Sequence, residues 1–441
     1  MNQARTRPAA PTGRRATVTA AVLVCAASML GLGAWAFLGP ESFARFIDFA
    51  PYNEHLIHDA GAFQLGIGVT VLLALWWSDA LLVALTGFAV ASGLHTVSHL
   101  IDRPLGGHDS DAPSLGLLTV VALVAIYLHL QGRKPKVLVA GASGALGVPL
   151  TRQLIAHGHQ VLGLTRDPAG ARRLEALGAE PVVADALDRD RLVRAVDGRW
   201  ADAVIHELTA LGKAPTRHAG MAPTDRLRTE GTTNLLAAAE ALGAKRFLTQ
   251  SIIFGYGYRD HGPALLTEDS PFGRPQGDRS DPHLAAMLST EQQAFTAPEG
   301  IALRYGLLYG GDAAQLHALL ARRGLPVARG GLLGWIHHED AAAATVAALE
   351  HGRPGQAYNL VDDLPATWQE VYTAMAQALG TPPPRRIPRW LFRLVAPYVA
   401  SFAVNTSMRV ANTKAKAELG WQPTFPTYHD GIRAMATAAR P

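Results

Sequence analysis

One stretch limits the fold more than any other: Lys136–Arg166, which reads KVLVAGASGALGVPLTRQLIAHGHQVLGLTR. An apolar strand (Val137–Ala140) runs straight into a turn that begins at Gly141 and closes at Gly147. A helical pattern follows to about Ala156, then Gly158 and a second apolar strand, Val161–Thr165. The spacing predicts a βαβ unit whose first turn is built around an anion. Gly141 permits the tight turn, Gly144 lets backbone approach a pyrophosphate, and Gly147 lets the helix pack close on the strand. The helix N-terminus then offers unpaired N–H groups to the phosphates. The expected dinucleotide cradle is therefore Gly141, Ser143, Gly144, Ala145, Leu146 and Gly147.

The end of the second strand tells one dinucleotide from another. A carboxylate there binds the ribose 2′-hydroxyl of NAD, whereas an arginine neutralises the 2′-phosphate of NADP. This chain has Thr165-Arg166 and no carboxylate before Asp167. Arg166 argues for NADP and leaves NAD open. The plainer account of Arg166 is a solvated loop charge.

At 441 residues the chain has room for two or three domains. Hydrophobic residues make up 49% and charged ones only 17%, and the apolar excess is concentrated before residue 132. Four segments there, Thr17–Leu38, Ala60–Trp77, Ala80–Ser98 and Ser114–Leu130, approach the roughly 20 residues that cross a bilayer as helix. The first is too long for a signal peptide and three more follow it. The expectation is a four-span all-α membrane bundle in residues 1–132 and a separate domain in 133–441. Arg5, Arg7, Arg14 and Arg15 precede the first span, and Arg133, Lys134 and Lys136 follow the fourth. The two loops on the opposite side hold only Arg45 and Arg103. By the positive-inside rule this is a multi-pass protein of the plasma membrane with its soluble domain facing the cytoplasm.

The single cysteine, Cys25, excludes an internal disulfide framework and a cysteine-based zinc site. The net charge of +4, with no basic surface interleaved with aromatics, speaks against a nucleic-acid partner. Two clusters flank the middle spans: His55, His58 and Asp59 before the second, and His95, His99 and Asp102 at the end of the third. His55, His95 and His99 are the candidates should a metal or a proton pass there. Histidines hydrogen-bonded at the interface are the simpler account, and no metal is assigned.

The strand–helix alternation continues after the opening unit. Pro181–Ala184, Ala203–His206, Lys245–Ser251 and Ala302–Tyr305 read as further strands, with a helix from about Thr224 to Leu242. This predicts an α/β domain with a Rossmann-type, doubly wound parallel sheet. Shorter elements after it, with a helix near Trp368–Leu379, suggest a small C-terminal substrate-covering region. Arg385–Val404 combines four arginines with Trp390, Phe392, Tyr398 and Phe402, a pattern able to lie at a bilayer interface. A helix of the substrate region explains it as well.

Taken in order, GASGALG, ADAVIHELTAL, EGTTNLLAAAE, QSIIFGYG, LTEDSPF, LRYGLLYG, WIHHED, AYNLVDD and AELGWQP resemble the extended short-chain dehydrogenase/reductase family, the nucleotide-sugar epimerase and dehydratase relatives. The resemblance spans essentially residues 135–435. It implies that Asp185 and Ala186 lie at the adenine and that Leu208, Thr209 and Ala210 line the coenzyme. It also implies that Gln250 and Ser251 approach the nicotinamide. The catalytic set departs from the family. Its Tyr-x-x-x-Lys pair, which shares a helix face so that the lysine lowers the tyrosine pKa, aligns with His283 and Met287. The family's serine aligns with Ile252, one residue after Ser251. His283, Tyr256, Tyr258 and Ser251 are the candidates for a rebuilt site, although Tyr256 also matches a packing tyrosine of the family. The expected function is a membrane-anchored NADP-dependent oxidoreductase or epimerase-like enzyme. Its small-molecule substrate would be a carbonyl or alcohol, lipid-associated or otherwise apolar. The alternative is a non-catalytic NADP-binding sensor or assembly factor. The oligomeric state is left open.

Overall fold

The computed structural model describes residues 12–48, 51–75, 80–101, 109–132, 134–212, 215–322 and 324–438. Arg5, Arg7, Trp77, Asp102, Arg103 and Arg133, which entered the reading of spans and charges, lie outside the described residues. Contacts divide the chain into two units, Met1–Arg133 and Lys134–Pro441.

The first unit is helical: α1 (Thr12–Leu38), a short α2 (Pro40–Phe46), α3 (Glu54–Leu73), α4 (Leu81–Ile101) and α5 (Asp111–Gly132). Four of these helices are long and apolar enough to cross a membrane. Helix α2 was not anticipated; Pro40 at its first turn and the fixed proline φ start it. A Cβ on Gly33 would meet the Gly61 carbonyl at 2.9 Å, and one on Gly61 the Gly33 carbonyl at 2.9 Å. Small residues thus let α1 and α3 touch backbone to backbone. Val22, Cys25, Ala26, Leu85 and Phe88 fill the interior, whereas Phe63, Val83, Leu94 and Leu117 face outward. Apolar side chains on both faces are what a lipid-facing helix needs, not what a water-facing one does.

The second unit alternates strands and helices: β1 (Lys136–Ala140), α6 (Gly147–Ala156), β2 (Gln160–Thr165), α7 (Pro168–Ala176), β3 (Glu180–Val183), α8 (Arg189–Val196) and β4 (Ala203–His206). Helix α9 (Ala222–Arg226) passes through a π turn, Leu227–Gly231, into α10 (Thr232–Ala241), followed by β5 (Arg246–Ile252). Then come β6 (Asp260–Leu266), α11 (Asp281–Ala294), β7 (Glu299–Tyr305), β8 (Leu307–Tyr309), α12 (Ala313–Ala321), β9 (Leu332–Leu333), β10 (Trp335–His337), α13 (His338–His351) and β11 (Gln356–Leu360). The chain closes with β12 (Ala366–Thr367), α14 (Trp368–Ala378), α15 (Arg389–Val395), α16 (Pro397–Ala403), β13 (Ser407–Val410), α17 (Thr413–Leu419) and α18 (Tyr428–Ala438).

Seven strands form one parallel sheet in the order β11-β7-β5-β4-β1-β2-β3. The strands are buried on both faces because their odd and even residues enter two separate cores. Val137, Val139, Ile205 and Leu303 pack under α6 and α13, and Leu138, Leu162, Val204 and Phe247 under α8 and α10. Strand order reverses between β1 and β4, which opens a crevice at their carboxyl ends. The segment after β5 and the residues beyond β7 together supply three two-stranded ribbons and α14–α16, a smaller region with its own core around Ile253, Phe254, Met287, Leu333 and Phe402.

Candidate functional site

The glycine turn after β1 has the shape its sequence requires. Gly141 takes φ +93°, and a Cβ on it would meet the Glu207 carbonyl at 2.8 Å. A Cβ on Gly147 would strike the Gly141 carbonyl at 1.9 Å, so α6 approaches β1 as closely as a bare backbone allows. The Gly144 N–H donates to Gly141 O at 2.9 Å, closing the turn. Above Gly144 a Cβ would meet only Gly141 O, at 3.1 Å. The space over the turn is open, and these residues fit a pyrophosphate.

The remaining coenzyme candidates follow the carboxyl ends of neighbouring strands. Arg166 is exposed directly after β2. The next carboxylate, Asp167, caps α7 by accepting from Gly170 N–H at 2.7 Å, which holds it below the usual carboxylate range. Asp185 is half-buried after β3, where it accepts from Leu187 N–H at 2.9 Å, and Asn234 Nδ2 donates to the Ala186 carbonyl at 2.8 Å. After β4, Leu208 N–H donates to His206 Nδ1 and Ala210 N–H to Thr224 Oγ1, the second of these tying the segment across the crevice to α9. Thr209 is exposed between them. Burial drops His206 to about 4, so its ring is neutral and its Nε2–H donates to the Leu227 carbonyl. Gln250 lies in β5, its amide 3.4 Å from the Leu208 carbonyl.

Two of the four candidate catalytic side chains, Ser251 and Tyr256, are bound into the scaffold. Glu291 on α11 and Arg304 on β7 form a buried two-pronged ion pair, at 2.9 and 2.7 Å. Ser251 Oγ donates to Glu291 at 2.6 Å, and Arg304 Nη1 donates to the Tyr256 hydroxyl at 3.0 Å. That hydroxyl is 2.8 Å from Asn359 Oδ1 and 3.0 Å from the Thr267 carbonyl. Ser251 and Tyr256 are each 1% exposed. With both hydroxyls so engaged, the geometry favours packing for Tyr256 and a clamp of β5 to α11 for Ser251. Met287, at the family's lysine position, is fully enclosed among Ile253, Phe254 and Phe402.

His283 lies in a different setting. Its Nδ1 is 2.7 Å from Asp225 Oδ2, and its Nε2 is 3.0 Å from His218 Nδ1. The two rings are nearly coplanar, 4° apart, and Tyr398 of α16 stands at about a right angle to both. A carboxylate at Nδ1 fixes that nitrogen as the protonated one and leaves Nε2 to exchange a proton with His218. His283 is 3% exposed, while His218 is half-buried and reaches the outside. Burial and the neighbouring His283 hold the His218 ring below the ordinary imidazole value. Behind the rings Tyr258 and Tyr398 are hydrogen-bonded, and burial pushes both phenols up, Tyr258 far up.

The roles of His218, Asp225 and Tyr398 beside His283 were missed from sequence. The partners of His283 sit 58 and 65 residues away, and no local spacing marks them. Tyr398 was noted only as part of an aromatic run, which folds as two short helices broken at Ala396 and Pro397. In the helical unit, His55 faces Asp59 at 3.5 Å and His95 faces His99 at 3.2 Å. Among the described residues no three potential ligands converge on one point.

Residues 137–360 match the model of the NAD dependent epimerase/dehydratase family. The chain belongs to that family. A 3-diazoavenalumate denitrifying reductase from a Streptomyces species is 37% identical over 310 residues, covering 67% of this chain and 99% of the relative. A 2-alkyl-3-oxoalkanoate reductase from Stenotrophomonas maltophilia is 29% identical over 272 residues, 56% of this chain and 76% of the relative. Among solved structures, a dTDP-glucose 4,6-dehydratase from Streptomyces venezuelae with bound NAD superposes with a TM-score of 0.56 at 21% identity, over 68% of this chain and 96% of that one. The fold is thus that of NAD-binding family members, and several relatives are named reductases.

Proposed function

We propose that the chain is an NADP-dependent reductase. Its four apolar helices would hold it in a membrane, with Lys134–Pro441 on the cytoplasmic side. It would act on a small carbonyl or alcohol substrate at the carboxyl ends of β4 and β5. The observation that carries the chemistry is the Asp225–His283–His218 chain, at 2.7 and 3.0 Å. When bound, the nicotinamide supplies or accepts the hydride. Hydride at the carbonyl carbon leaves an alkoxide, whose proton would come from His283 Nε2 with the substrate oxygen taking the place of His218 there. Asp225 orients the inner ring and steadies its charge, and His218 returns the proton from solvent. Tyr398 walls the inner ring from water. This replaces the tyrosine and lysine without needing a second cation.

For the coenzyme, Arg166 supports NADP because Asp167, the one carboxylate nearby in sequence, is spent on its helix cap. For the membrane, support comes from helix length, outward apolar side chains and the arginine asymmetry. The exposed Trp390, Leu394 and Val395 beside Arg389 and Arg393 on α15 add an interfacial surface.

Full-length protein incubated with NADPH or NADH and a panel of aldehydes and ketones tests this reading. Loss of reduced-nicotinamide absorbance with NADPH in preference to NADH supports it. NADPH that binds yet is never oxidised would make the chain a sensor.

A second acceptor class is favoured by His283 and Met287 standing where the family has tyrosine and lysine. The 37% identical relative is named for removing nitrogen from a diazo compound. An aryl diazonium already carries positive charge. Hydride adds to it, dinitrogen leaves, and a C–H bond remains with no proton drawn from the protein. Dinitrogen release coupled one to one with NADPH oxidation distinguishes this acceptor from a carbonyl.

A further inference from the structure

The π turn between α9 and α10 carries a charge that no described carboxylate meets in an ion pair. Arg228 sits in that turn, Leu227–Gly231, and is 3% exposed. One extra residue per turn swings side chains off the face a regular helix would give them, and such turns recur at functional sites. The Arg228 Nε is enclosed without an acceptor, and among the described residues no carboxylate pairs with its guanidinium. Asp225, three residues earlier, gives Oδ2 to His283 and leaves Oδ1 without a partner.

Arg304 shows what this fold does with a buried arginine that belongs to the scaffold. It is 7% exposed and is bonded to Glu291 through two nitrogens and to Tyr256 through a third. Arg228 has none of this. Its charge is felt, opposed by that of Asp225, at the Tyr258 and Tyr398 hydroxyls, and also at the His206 ring; these groups lie beyond β5, on α16 and at the end of β4. That is the edge of the sheet where a substrate lies beside the nicotinamide, not the glycine turn where the phosphates go.

A cation removed from water without a carboxylate in ion-pair contact is costly, and a guanidinium fork matches a carboxylate in two-pronged geometry. We propose that Arg228 anchors a carboxylate on the substrate, so that the chain selects organic acids. This deepens the reductase reading and rests on its placement of substrate at the β4–β5 edge.

The test uses the full-length protein with saturating NADP, in the oxidised form so that nothing turns over. Benzoate and trans-cinnamate are compared with their neutral methyl esters by calorimetry and by melting. The expected result is an acid bound at least about tenfold tighter than its ester. Arg228→Met removes that preference and Arg228→Lys keeps part of it, with coenzyme affinity unchanged in both. Free of ligand, Arg228→Met melts no lower than the parent. Equal binding of acid and ester to the parent overturns the proposal, and so does a preference intact in Arg228→Met. A loss of coenzyme affinity in that variant also overturns it, by assigning the arginine to a phosphate. If NADP itself gives no heat with the parent protein, the reductase reading fails. The acid–ester comparison repeated without coenzyme then still judges Arg228.

Discussion

At the scale of single residues, the site is read from what surrounds His283 and Met287. Met287 is not a lysine's vacancy: apolar side chains have closed around it. Met287→Lys should therefore lower stability by roughly 3 kcal/mol, seen as an early denaturation midpoint, because an unpaired ammonium would be buried. His283→Tyr combined with Met287→Lys should not restore the family's chemistry. Replacing His283 by Ala or Asp225 by Asn should slow carbonyl reduction by about a hundredfold while leaving NADPH binding intact. If diazonium is the true acceptor, those rates should hardly change. His283 was visible in the sequence because an ordered series of motifs put it at a known catalytic position. Ser251, one residue before the family's serine position, and Tyr256, just past the fifth strand, were candidates on weaker grounds, and their hydroxyls are engaged by Glu291 and Arg304. No motif states which buried ion pair a hydroxyl will join.

At the scale of elements, the opening βαβ unit was legible almost residue for residue, because its glycines are forced by backbone geometry and not by distant partners. Two substitutions separate folding from binding there. Gly147→Ala drives a methyl into the Gly141 carbonyl and should disrupt the domain, with a lowered melting midpoint and no coenzyme shift. Gly144→Asp meets little protein and should fold normally, yet lose NADPH binding, since its charge opposes the phosphates. The helix predicted from about Thr224 to Leu242 is there, but it begins at Ala222 and contains the Leu227–Gly231 π turn. Hydrophobic periodicity averages over such a turn and cannot show it. The aromatic, arginine-rich segment was readable only as amphipathic. Its break at Pro397, and the packing of Tyr398 against both histidines, depend on contacts made across the fold.

At the scale of the whole molecule, buried acids set how the second unit answers to pH. Burial raises Glu207, despite a hydrogen bond from Tyr305, and Asp362, each to about 8. A folded-state value above the unfolded one means stability is fullest below the carboxylate's ordinary pKa and is lost as pH rises toward about 8. The His159 hydrogen bond, with Lys134, holds Glu350 at about 2, so its contribution is lost only as pH falls from the ordinary glutamate value toward about 2. Melting of the second unit, followed from about pH 5 to about pH 9, should show a decline on the alkaline side. Glu207→Gln with Asp362→Asn should flatten it.

The one sulfhydryl in the chain, Cys25, is wholly enclosed between helices of the first unit. The native surface is therefore blank to impermeant maleimides among the described residues. Arg191→Cys and Tyr52→Cys, each made alone at an exposed position, can then report sidedness in sealed cells without background. Labelling of the Tyr52→Cys protein from outside, and of the Arg191→Cys protein only after lysis, is the pattern that an inward-facing reductase would leave. The reverse pattern would turn its topology over.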